Sequence, residues 1–429
     1  MIDQGNLLIK NCSEIVTCSG FSAKKGKEMS DLKVIPNGAL VIEGGIIKAV
    51  GKSKEISERF NGESYEVIDA SGKSVLPGFV DSHTHFVFGG YRAEEFCWRL
   101  NGISYMDIMQ RGGGILNTVK ATRAASKKEL FQEGLKRLDS MLSFGVTTVE
   151  GKSGYGLDCE TEIKQLEVME ELDRTHPISI VKTFLGAHVL PEEYNKGKED
   201  QFIDDIIIKV LPIVVERKLA EFCDVFCEKN VFSIEQSRRL LLEAKKRGMK
   251  VKLHADEIVP FGGAELAAEL GAVSADHLLK ASEKGIEKIS QAGVIATLLP
   301  GTAFSLKEPY PKARTMIEKE CAVALASDMN PGSCYTESIP LIFALATIYM
   351  DMTVEETVSA LTINGAAALN REKTIGSIDV GKQGDIIILE FPSYHYIPYH
   401  LGVSCVEKVI KKGRIVFDKE RKEQKYVRR

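Results

Sequence analysis

The sequence lacks any long apolar run, and no window approaches the roughly eighteen consecutive apolar residues that a membrane-spanning helix needs. It also lacks an excess of charge, because 56 basic and 60 acidic side chains leave a formal net charge of -4. Such a balanced surface offers no attractive field to nucleic acid or to an anionic membrane. We therefore expect a small-molecule substrate, and copies of the same chain, as the partners of this protein.

Cysteine pairs of the C-x-x-C type are absent, although the chain contains nine cysteines. The shortest spacing joins Cys223 and Cys227, which lie in one apolar segment. This pattern is typical of reduced, buried thiols and indicates a reducing compartment. The first residues also lack the basic segment and apolar core of a secretory signal. We therefore expect a soluble, cytoplasmic protein.

Both ends of the sequence are rich in short β-type segments. Residues 7–9 and 15–17 have this character, and residues 39–42 and 46–50 flank a Glu-Gly-Gly turn that predicts a hairpin. The same pattern returns near the other end, in residues 386–389, 406–410 and 414–417. We predict a small β-sandwich domain built from residues 1–73 and 371–429.

Between these ends, apolar strand-like segments alternate with amphipathic helical ones, in the manner of the α/β class. Eight strands are predicted, at residues 75–80, 145–150, 178–184, 223–227, 251–254, 273–277, 294–298 and 323–328. Eight β-then-α units predict a (β/α)8 TIM-like barrel over residues 74–370. A doubly wound open sheet is the alternative, but the Gly-x-Gly-x-x-Gly turn that it usually carries after its first strand is absent.

Histidine is scarce, and two of the eight histidines stand in one motif. The segment Pro77-Gly-Phe-Val-Asp-Ser-His-Thr-His85 places His83 and His85 two residues apart after an apolar strand. Alternate residues of a strand point to the same side, so both imidazoles should face one place. This geometry suits two nitrogen ligands of one metal ion. The other interpretation is a pair of ordinary surface histidines.

In a parallel barrel the chemistry lies at the carboxyl ends of the strands. Polar residues able to bind a metal or a substrate occur at those ends, namely His83, His85, Lys152, Tyr155, His188, His254, Glu257, His277 and Asp328. Four of them supply three imidazoles and a carboxylate, a set suited to zinc or iron with a position left for water: His83, His85, His254 and Asp328. Asp328 can also accept a proton from that water.

His254-Ala-Asp-Glu257 is the second motif with clear chemistry. Glu257 can carry a proton between water and a ring nitrogen, or it can be a carboxylate that a helix N-terminus stabilises. His277 can be a fifth ligand, can orient a ligand, or can stabilise an oxyanion. It can also be a buried histidine without a catalytic role. We favour an electrophilic role for His277 beside the metal.

These motifs and the split β domain resemble the amidohydrolase superfamily along nearly the whole chain. More specific segments resemble one branch of it: Phe86-Val-Phe-Gly-Gly-Tyr-Arg92, Gly112-Gly-Gly-Ile, Glu150-Gly-Lys-Ser-Gly-Tyr155, Phe184-Leu-Gly-Ala-His188, Leu253-His-Ala-Asp-Glu257 and Ser327-Asp-Met-Asn-Pro-Gly-Ser333. The resemblance implies a metal-dependent hydrolase that opens the cyclic amide of 4-imidazolone-5-propanoate to N-formimino-L-glutamate in histidine degradation. It also implies one zinc or iron ion per subunit and a homodimer.

The same resemblance implies which residues contact the substrate or product: Arg92, Tyr155, His188, Glu257, Asn330, Gly332 and Ser333. Chemistry agrees, since the planar guanidinium of Arg92 matches a propanoate carboxylate. By composition alone Arg92 could equally be a surface arginine in a Glu-rich loop. His188 could polarise the ring carbonyl, and Tyr155 could bind the tail or stack on the ring. The run Gly112–Gly114 is expected to lie near the substrate, as a lid or a fixed loop.

Two other functions stay open from the residues alone. A deaminase of a nucleobase or related amino-heterocycle would use the same His-x-x-Glu motif, although it has little use for Arg92. A non-catalytic assembly protein on this scaffold would have lost its ligands, whereas every candidate ligand is present. By the resemblance to the amidohydrolase superfamily, a second metal would need a bridging lysine at the end of the fourth strand, where Lys229 is the nearest candidate.

Overall fold

The computed structural model describes residues 6–60, 64–103, 107 and 113–420. Both ends of the described chain contribute to one sheet, which is formed by β1 (Leu7–Val16), β2 (Val34–Glu43), β3 (Ile46–Lys52), β4 (Glu66–Asp69), β5 (Ser74–Pro77), β14 (Ile386–Leu389), β15 (Val406–Lys411) and β16 (Arg414–Asp418). Its order is β16-β15-β14-β5-β1-β2-β3, with β4 beside β1. The prediction that the two chain ends build a small β unit is confirmed.

This sheet curls around a core of its own. Ile386 and Ile388 of β14 pack with Leu7 and other apolar side chains of the same sheet. Ile387 and Leu389 point the other way and join the core of the larger unit, since neighbouring residues of a strand face opposite sides. Leu76 of β5 and Val409 of β15 join the same core, so side chains of several strands hold the small sheet to the rest of the molecule.

A second sheet contains eight parallel strands in chain order: β6 (Phe79–Asp81), β7 (Val146–Lys152), β8 (Ser179–Ala187), β9 (Phe222–Cys227), β10 (Lys250–Ala255), β11 (Ser274–His277), β12 (Ile295–Leu298) and β13 (Val323–Leu325). The first and last strands meet just beyond their carboxyl ends, where Thr84 bridges Met329 and the Asp328 N–H donates to the His83 carbonyl at 3.0 Å. The predicted (β/α)8 barrel is confirmed, and the doubly wound alternative is wrong.

The prediction of one strand over residues 75–80 is wrong. Ser74–Pro77 pairs with β1 and β14 in the small sheet, whereas Phe79–Asp81 opens the barrel. The chain changes sheets at Gly78, where an added Cβ would lie 2.2 Å from Thr147 Cγ2. The two segments predicted at residues 7–9 and 15–17 are a single strand with a register shift. The division into residues 1–73, 74–370 and 371–429 stays a prediction.

Helices pack against both sheets. They are α1 (Ser53–Arg59), α2 (Ala93–Leu100), α3 (Ile115–Ala124), α4 (Lys127–Ser143), α5 (Cys159–Thr175), α6 (Glu199–Asp205), α7 (Leu211–Glu216), α8 (Ile234–Lys246), α9 (Gly263–Leu270), α10 (Glu283–Ala292), α11 (Pro300–Leu306), α12 (Ala313–Glu318), α13 (Ile339–Tyr349), α14 (Val354–Leu361), α15 (Ile363–Ala368) and α16 (Tyr396–Tyr399). A 3-10 turn covers Gly26–Ser30. Among the described residues, no helix combines the length and apolar character that a membrane crossing requires.

Local sequence explains where several helices begin and break. Ser126 caps α4 in a reciprocal arrangement with Glu129, because each side chain bonds to the backbone N–H of the other residue. The continuous amphipathic segment of residues 199–218 is interrupted by a π-helical turn at Ile206–Val210. Pro212, the second residue after this turn, has no N–H to continue the regular hydrogen-bond pattern.

Candidate metal centre and active site

The carboxyl end of the barrel brings together five of the eight histidines, namely His83, His85, His188, His254 and His277. The ring centroids of His83 and His254 are 4.6 Å apart, and those of His85 and His188 are 5.2 Å apart. Asp328 joins the same group from the last strand. The sequence-based expectation that these distant segments converge therefore agrees with the observed geometry.

The predicted ligand atoms lie within reach of one ion. Asp328 Oδ1 is 3.5 Å from His83 Nε2 and 3.7 Å from His85 Nε2, while His254 Nε2 is 3.4 Å from His85 Nε2. His83 Nε2 is buried and has no hydrogen-bond partner among the described residues. Leaving a buried nitrogen unpaired costs about 1–3 kcal/mol, so the position suits an ion that this nitrogen could bind.

A second grouping keeps the role of His277 open. Nitrogen atoms of His83, His254 and His277 lie within 4.8 Å of one another, as do ligand atoms of His83, His85 and Asp328. His277 is therefore close enough to be a further ligand as well as an electrophile. Lys229, in contrast, is exposed after β9.

Burial sets the charge of these imidazoles. It lowers the pKa of His83, His85 and His277 well below the ordinary value. Burial acts in the same direction on His254, but the nearby carboxylate of Asp224 outweighs it and raises the pKa of that imidazole. Neutral imidazole is the form that binds a metal, so three of the histidines are already in the competent state.

Carboxylates orient two of these histidines from inside the barrel. Asp276 Oδ2 lies 2.7 Å from His83 Nδ1, and Asp224 Oδ2 lies 3.0 Å from His254 Nδ1. Asp276 accepts the Nδ1 proton of His83, and the charge of Asp224 lies beside Nδ1 of His254, so each ring is oriented with Nε2 toward the barrel mouth. The sequence-based prediction missed both aspartates. The available signal was the presence of charged residues within otherwise apolar strands.

Glu257 and His277 face each other beside this group. Glu257 Oε1 is 3.7 Å from His277 Nδ1. Burial, reinforced by the charge of Asp328, raises the pKa of Glu257 to about 8. Burial also raises the pKa of Asp328, to about 6, although a hydrogen bond from Thr302 acts in the opposite direction. The two carboxyl groups therefore differ in proton affinity near neutral pH.

A cavity of about 420 Å³ leads away from the histidines. Its lining includes the predicted site residues His85, Arg92, Tyr155, His188, His254, Glu257, His277, Asp328, Asn330, Gly332 and Ser333. In this lining, Arg92 Nη1 lies only 2.1 Å from the point where a Cβ on Gly332 would be, so a side chain on residue 332 would displace the guanidinium. Gly332 is thus required for Arg92 to occupy this position.

Asn330 builds the turn around Gly332. Its Oδ1 accepts hydrogen bonds from the N–H groups of Gly332 and Ser333 at 2.9 and 2.8 Å. Its Nδ2 donates to the Asp328 carbonyl at 2.7 Å. The amide is therefore committed to the shape of this loop, which connects the candidate ligand Asp328 to the Arg92 end of the cavity.

A second arginine in the cavity was missed by the sequence-based prediction. Arg99 follows Arg92 by two helical turns on α2 and donates to the Gly332 carbonyl at 3.2 Å. Between them, Glu95 accepts a hydrogen bond from Arg92 Nε at 2.8 Å and one from the Gly114 N–H at 2.9 Å. Gly114 is thus tied beside the cavity, whereas Gly112 lies outside the described residues. In the sequence, the i, i+3, i+7 spacing of Arg92, Glu95 and Arg99 could have indicated that the three charges lie on one helix face.

The side chain of Glu162 fixes the loop that carries Tyr155. Glu162 accepts hydrogen bonds from the N–H groups of Gly154, Gly156 and Leu157 at distances of 2.8–3.1 Å. Tyr155 is buried with its ring beside His85 and His188. These contacts place the aromatic ring against the predicted metal ligand His85 and the predicted substrate-binding residue His188.

Comparison with known proteins identifies the family of this chain. Residues 74–416 match the model described as "Amidohydrolase family". An imidazolonepropionase of Clostridium tetani is 64% identical over 416 residues, which are 97% of this chain and 99% of that protein. An imidazolonepropionase of Parabacteroides distasonis is 58% identical over 414 residues, with 96% and 99% covered.

Solved structures show the same fold at much lower identity. An adenosine deaminase from Xanthomonas campestris has a TM-score of 0.68 at 17% identity, with 99% of each chain covered. Guanine deaminase from E. coli has a TM-score of 0.68 at 14% identity, with 96% of this chain and 99% of that chain covered. The chain therefore belongs to the amidohydrolase family and, within it, to the imidazolonepropionases.

Proposed function

We propose that this protein hydrolyses the ring amide of 4-imidazolone-5-propanoate and releases N-formimino-L-glutamate, as a step of histidine degradation. The observation that carries the proposal is one cavity whose lining includes both candidate metal ligands and Arg92. Hydrolysis of a cyclic amide requires the former, and binding of a propanoate tail requires the latter. The relatives named imidazolonepropionase support the same reaction.

We further propose one zinc or iron ion per subunit, held by His83, His85, His254 and Asp328. The donor set fits, because three imidazoles and a carboxylate suit either metal and the unpaired His83 Nε2 faces the group. When bound, such an ion polarises a carbonyl and lowers the pKa of water. The exposed position of Lys229 gives no support to a second, bridged ion.

The propanoate tail is proposed to bind at Arg92. Glu95 holds Arg92 Nε, so the guanidinium is oriented with Nη1 against Gly332 in the cavity. Arg99 adds a second positive charge nearby. Two guanidinium groups and one carboxylate leave a net charge of about +1, which matches the single negative charge of the tail.

His188 is proposed to accept a hydrogen bond from the imidazolone. Its Nδ1 lies 3.0 Å from the Gly154 carbonyl, which can only accept, so Nδ1 carries the proton. Burial lowers the pKa of His188 to about 3, so the ring is neutral and Nε2 is an acceptor. Polarisation of the ring carbonyl, the role expected from the sequence, would require an N–H at Nε2, and this tautomer has none there. An unprotonated Nε2 can instead accept a hydrogen bond from a ring N–H of the imidazolone.

The two carboxyl groups are proposed to divide the proton transfers. Asp328, whose carboxylate faces the nitrogens of His83 and His85, is the base that takes a proton from water as the water oxygen bonds to the ring carbonyl carbon. His277 has an N–H to stabilise the resulting oxyanion. Glu257 has the higher pKa and gives its proton to the ring nitrogen as the carbon–nitrogen bond breaks. A transfer from Asp328 to Glu257 restores both groups.

The deaminase alternative has less support. Adenosine and guanine deaminases share the fold, but identities of 14–17% carry no information about the substrate. A neutral base would leave the excess positive charge of Arg92 and Arg99 over Glu95 uncompensated. The non-catalytic alternative is disfavoured because the cluster of candidate ligands is intact.

The reaction is tested by incubating the purified protein with 4-imidazolone-5-propanoate and, in separate samples, with cytosine and guanine. We expect N-formimino-L-glutamate from the first and no ammonia from the bases. Elemental analysis of the same preparation should find about one zinc or iron per chain. Ammonia from either base without ring opening of the imidazolone would contradict the proposal, and a metal-free active protein would contradict the ligand set.

Substitution of Glu257 tests the proton transfer to the ring nitrogen. The variant Glu257→Gln should bind metal normally but lose about 10²–10⁴-fold in kcat, because an amide cannot carry the proton. Glu308 lines the same cavity, is half exposed and pairs with Lys280, so Glu308→Gln is the matched control with turnover near wild type. Near-normal turnover of Glu257→Gln would remove Glu257 from this role.

Substitution of Arg92 tests the tail subsite. The variant Arg92→Ala should raise KM by about 10–100-fold, as expected for loss of a charge-assisted hydrogen bond worth about 1.5–3 kcal/mol. Arg92→Lys keeps the positive charge but lacks the planar guanidinium, so its KM should lie between those of the wild type and Arg92→Ala. With an imidazolone that lacks the propanoate, all three proteins should have the same KM. An unchanged KM for the full substrate would place the tail elsewhere.

We also propose that the protein is a homodimer. Helix α13 contains no charged residue, and its Ile348 and Tyr349 are each 57% exposed. Tyr399 on α16, which packs against α13, is 82% exposed. Apolar side chains exposed on adjoining elements are typical of an interface. Light scattering should give twice the chain mass of 47.3 kDa, and Ile348→Lys should shift it toward one chain. A single-chain mass for the wild type would contradict the proposal.

A cytoplasmic location is proposed from the thiols. All nine cysteines are free and most of them are buried. Free thiols are typical of a reducing compartment. Cell fractionation should recover the protein and its activity with the cytoplasm, and recovery outside the cell membrane would contradict this location.

A further inference from the structure

Lys152 is a buried cation whose role the proposed reaction does not explain. It is the last residue of β7, and its side chain points into the barrel interior with no exposed surface. Its Nζ lies 2.7 Å from Asp224, 3.0 Å from Glu150 and 3.3 Å from Asp276. One ammonium group therefore contacts three carboxylates from three alternate strands.

The oxygens that Lys152 contacts are also the ones that contact candidate metal ligands. Asp276 Oδ2 lies 3.3 Å from Lys152 Nζ and 2.7 Å from His83 Nδ1. Asp224 Oδ2 lies 2.7 Å from Lys152 Nζ and 3.0 Å from His254 Nδ1. A single ammonium thus connects two imidazoles that enter the site from different strands.

The remaining oxygen of each aspartate is also fixed. Asp276 Oδ1 accepts a hydrogen bond from Ser274 Oγ at 2.6 Å. Asp224 Oδ1 accepts from the N–H groups of Val225 and His254 at 2.7 and 3.2 Å. Neither carboxylate can rotate without losing both of its contacts, so the direction of each Oδ2 toward its imidazole is determined.

We propose that Lys152, with Asp224 and Asp276, is a positioning assembly that sets the direction of His83 and His254 for metal binding. Asp276 keeps the proton of His83 on Nδ1, the charge of Asp224 orients His254 from beside its Nδ1, and Lys152 holds both aspartate oxygens in place from one point. Outer contacts of this kind change metal affinity typically by 10–100-fold. The inference rests on the ligand set in the proposed function but not on the substrate.

Lys252 provides the comparison that isolates this role. It is equally buried in the same barrel interior, where its Nζ lies 2.8 Å from Glu150 and 3.3 Å from the Ser82 carbonyl. Its nearest approach to Asp276 is 4.0 Å. Loss of Lys252 removes a buried positive charge but leaves Oδ2 of Asp224 and Oδ2 of Asp276 in contact with Lys152. A comparison of the two lysine variants therefore distinguishes the effect of losing a buried charge from the effect of losing the positioning contacts.

The test measures zinc affinity by competition with a chromophoric chelator, using the full-length protein and no substrate. Lys152→Met should weaken zinc binding by about 10–100-fold and alter the visible spectrum of the cobalt-substituted protein. Lys252→Met should lose clearly less affinity and keep the wild-type cobalt spectrum. Equal losses in both variants, or no loss in Lys152→Met, would overturn the inference.

Two further variants keep the test decisive. His254→Asn should lose most zinc affinity, and if it binds zinc as the wild type does, the proposed ligand set is itself wrong. If circular dichroism shows that Lys152→Met is unfolded, Asp224→Asn and Asp276→Asn replace it, since each releases one imidazole. Both should bind zinc more weakly than the wild type. Wild-type affinity in both would overturn the inference while the His254→Asn result still reports on the ligands.

Discussion

The chemistry at the barrel mouth depends on charges buried beneath it. Glu150, Asp224 and Asp276 share the interior with Lys152 and Lys252, and all five side chains are fully buried. These three carboxylates and two ammonium groups leave one negative charge, and the carboxyl groups of Asp328 and the buried Asp81 lie close by. A divalent cation would offset this negative charge. Since an unpaired buried charge is strongly unfavourable, the interior favours occupation of the site by a cation.

Much of the fold could be predicted because parallel barrel strands are buried on both sides. Such strands are nearly continuous apolar runs, and the observed Ser179–Ala187 and Phe222–Cys227 lie close to the predicted segments. The prediction was wrong at Gly78, where the chain changes sheets. No local pattern indicates which sheet a strand will join, because that choice depends on contacts with Asp385 and Thr147, distant in sequence.

The sequence predicted the site residues that stand together in one motif, but not the contacts between residues of different strands. His83 and His85 stand two residues apart in one motif, so their convergence follows from strand geometry alone. Asp276 contacts His83 across 193 positions, and Lys152 contacts Asp224 across 72. Each residue of these pairs is a single charge in an apolar strand. Only the barrel shows that such charges form one network.

The barrel itself is shared with deaminases, so substrate choice has to lie in its loops. Helix α2 follows the first strand and supplies Arg92, Glu95 and Arg99, while the loop after the last strand supplies Gly332. These two loops are adjacent because β6 and β13 close the barrel. The charged end of the cavity therefore exists only when the first and last strands meet.

Asp328 connects that closure to the metal site. Its N–H donates to the His83 carbonyl across the seam, and its carboxylate faces His83 and His85. Its φ of 51° is unusual for a residue other than glycine, as is the φ of 75° at His277. Such backbone strain persists only when surrounding contacts determine it. A cation bound by Asp328 and the histidines would join both sides of the seam, so its binding free energy would contribute directly to keeping the barrel closed.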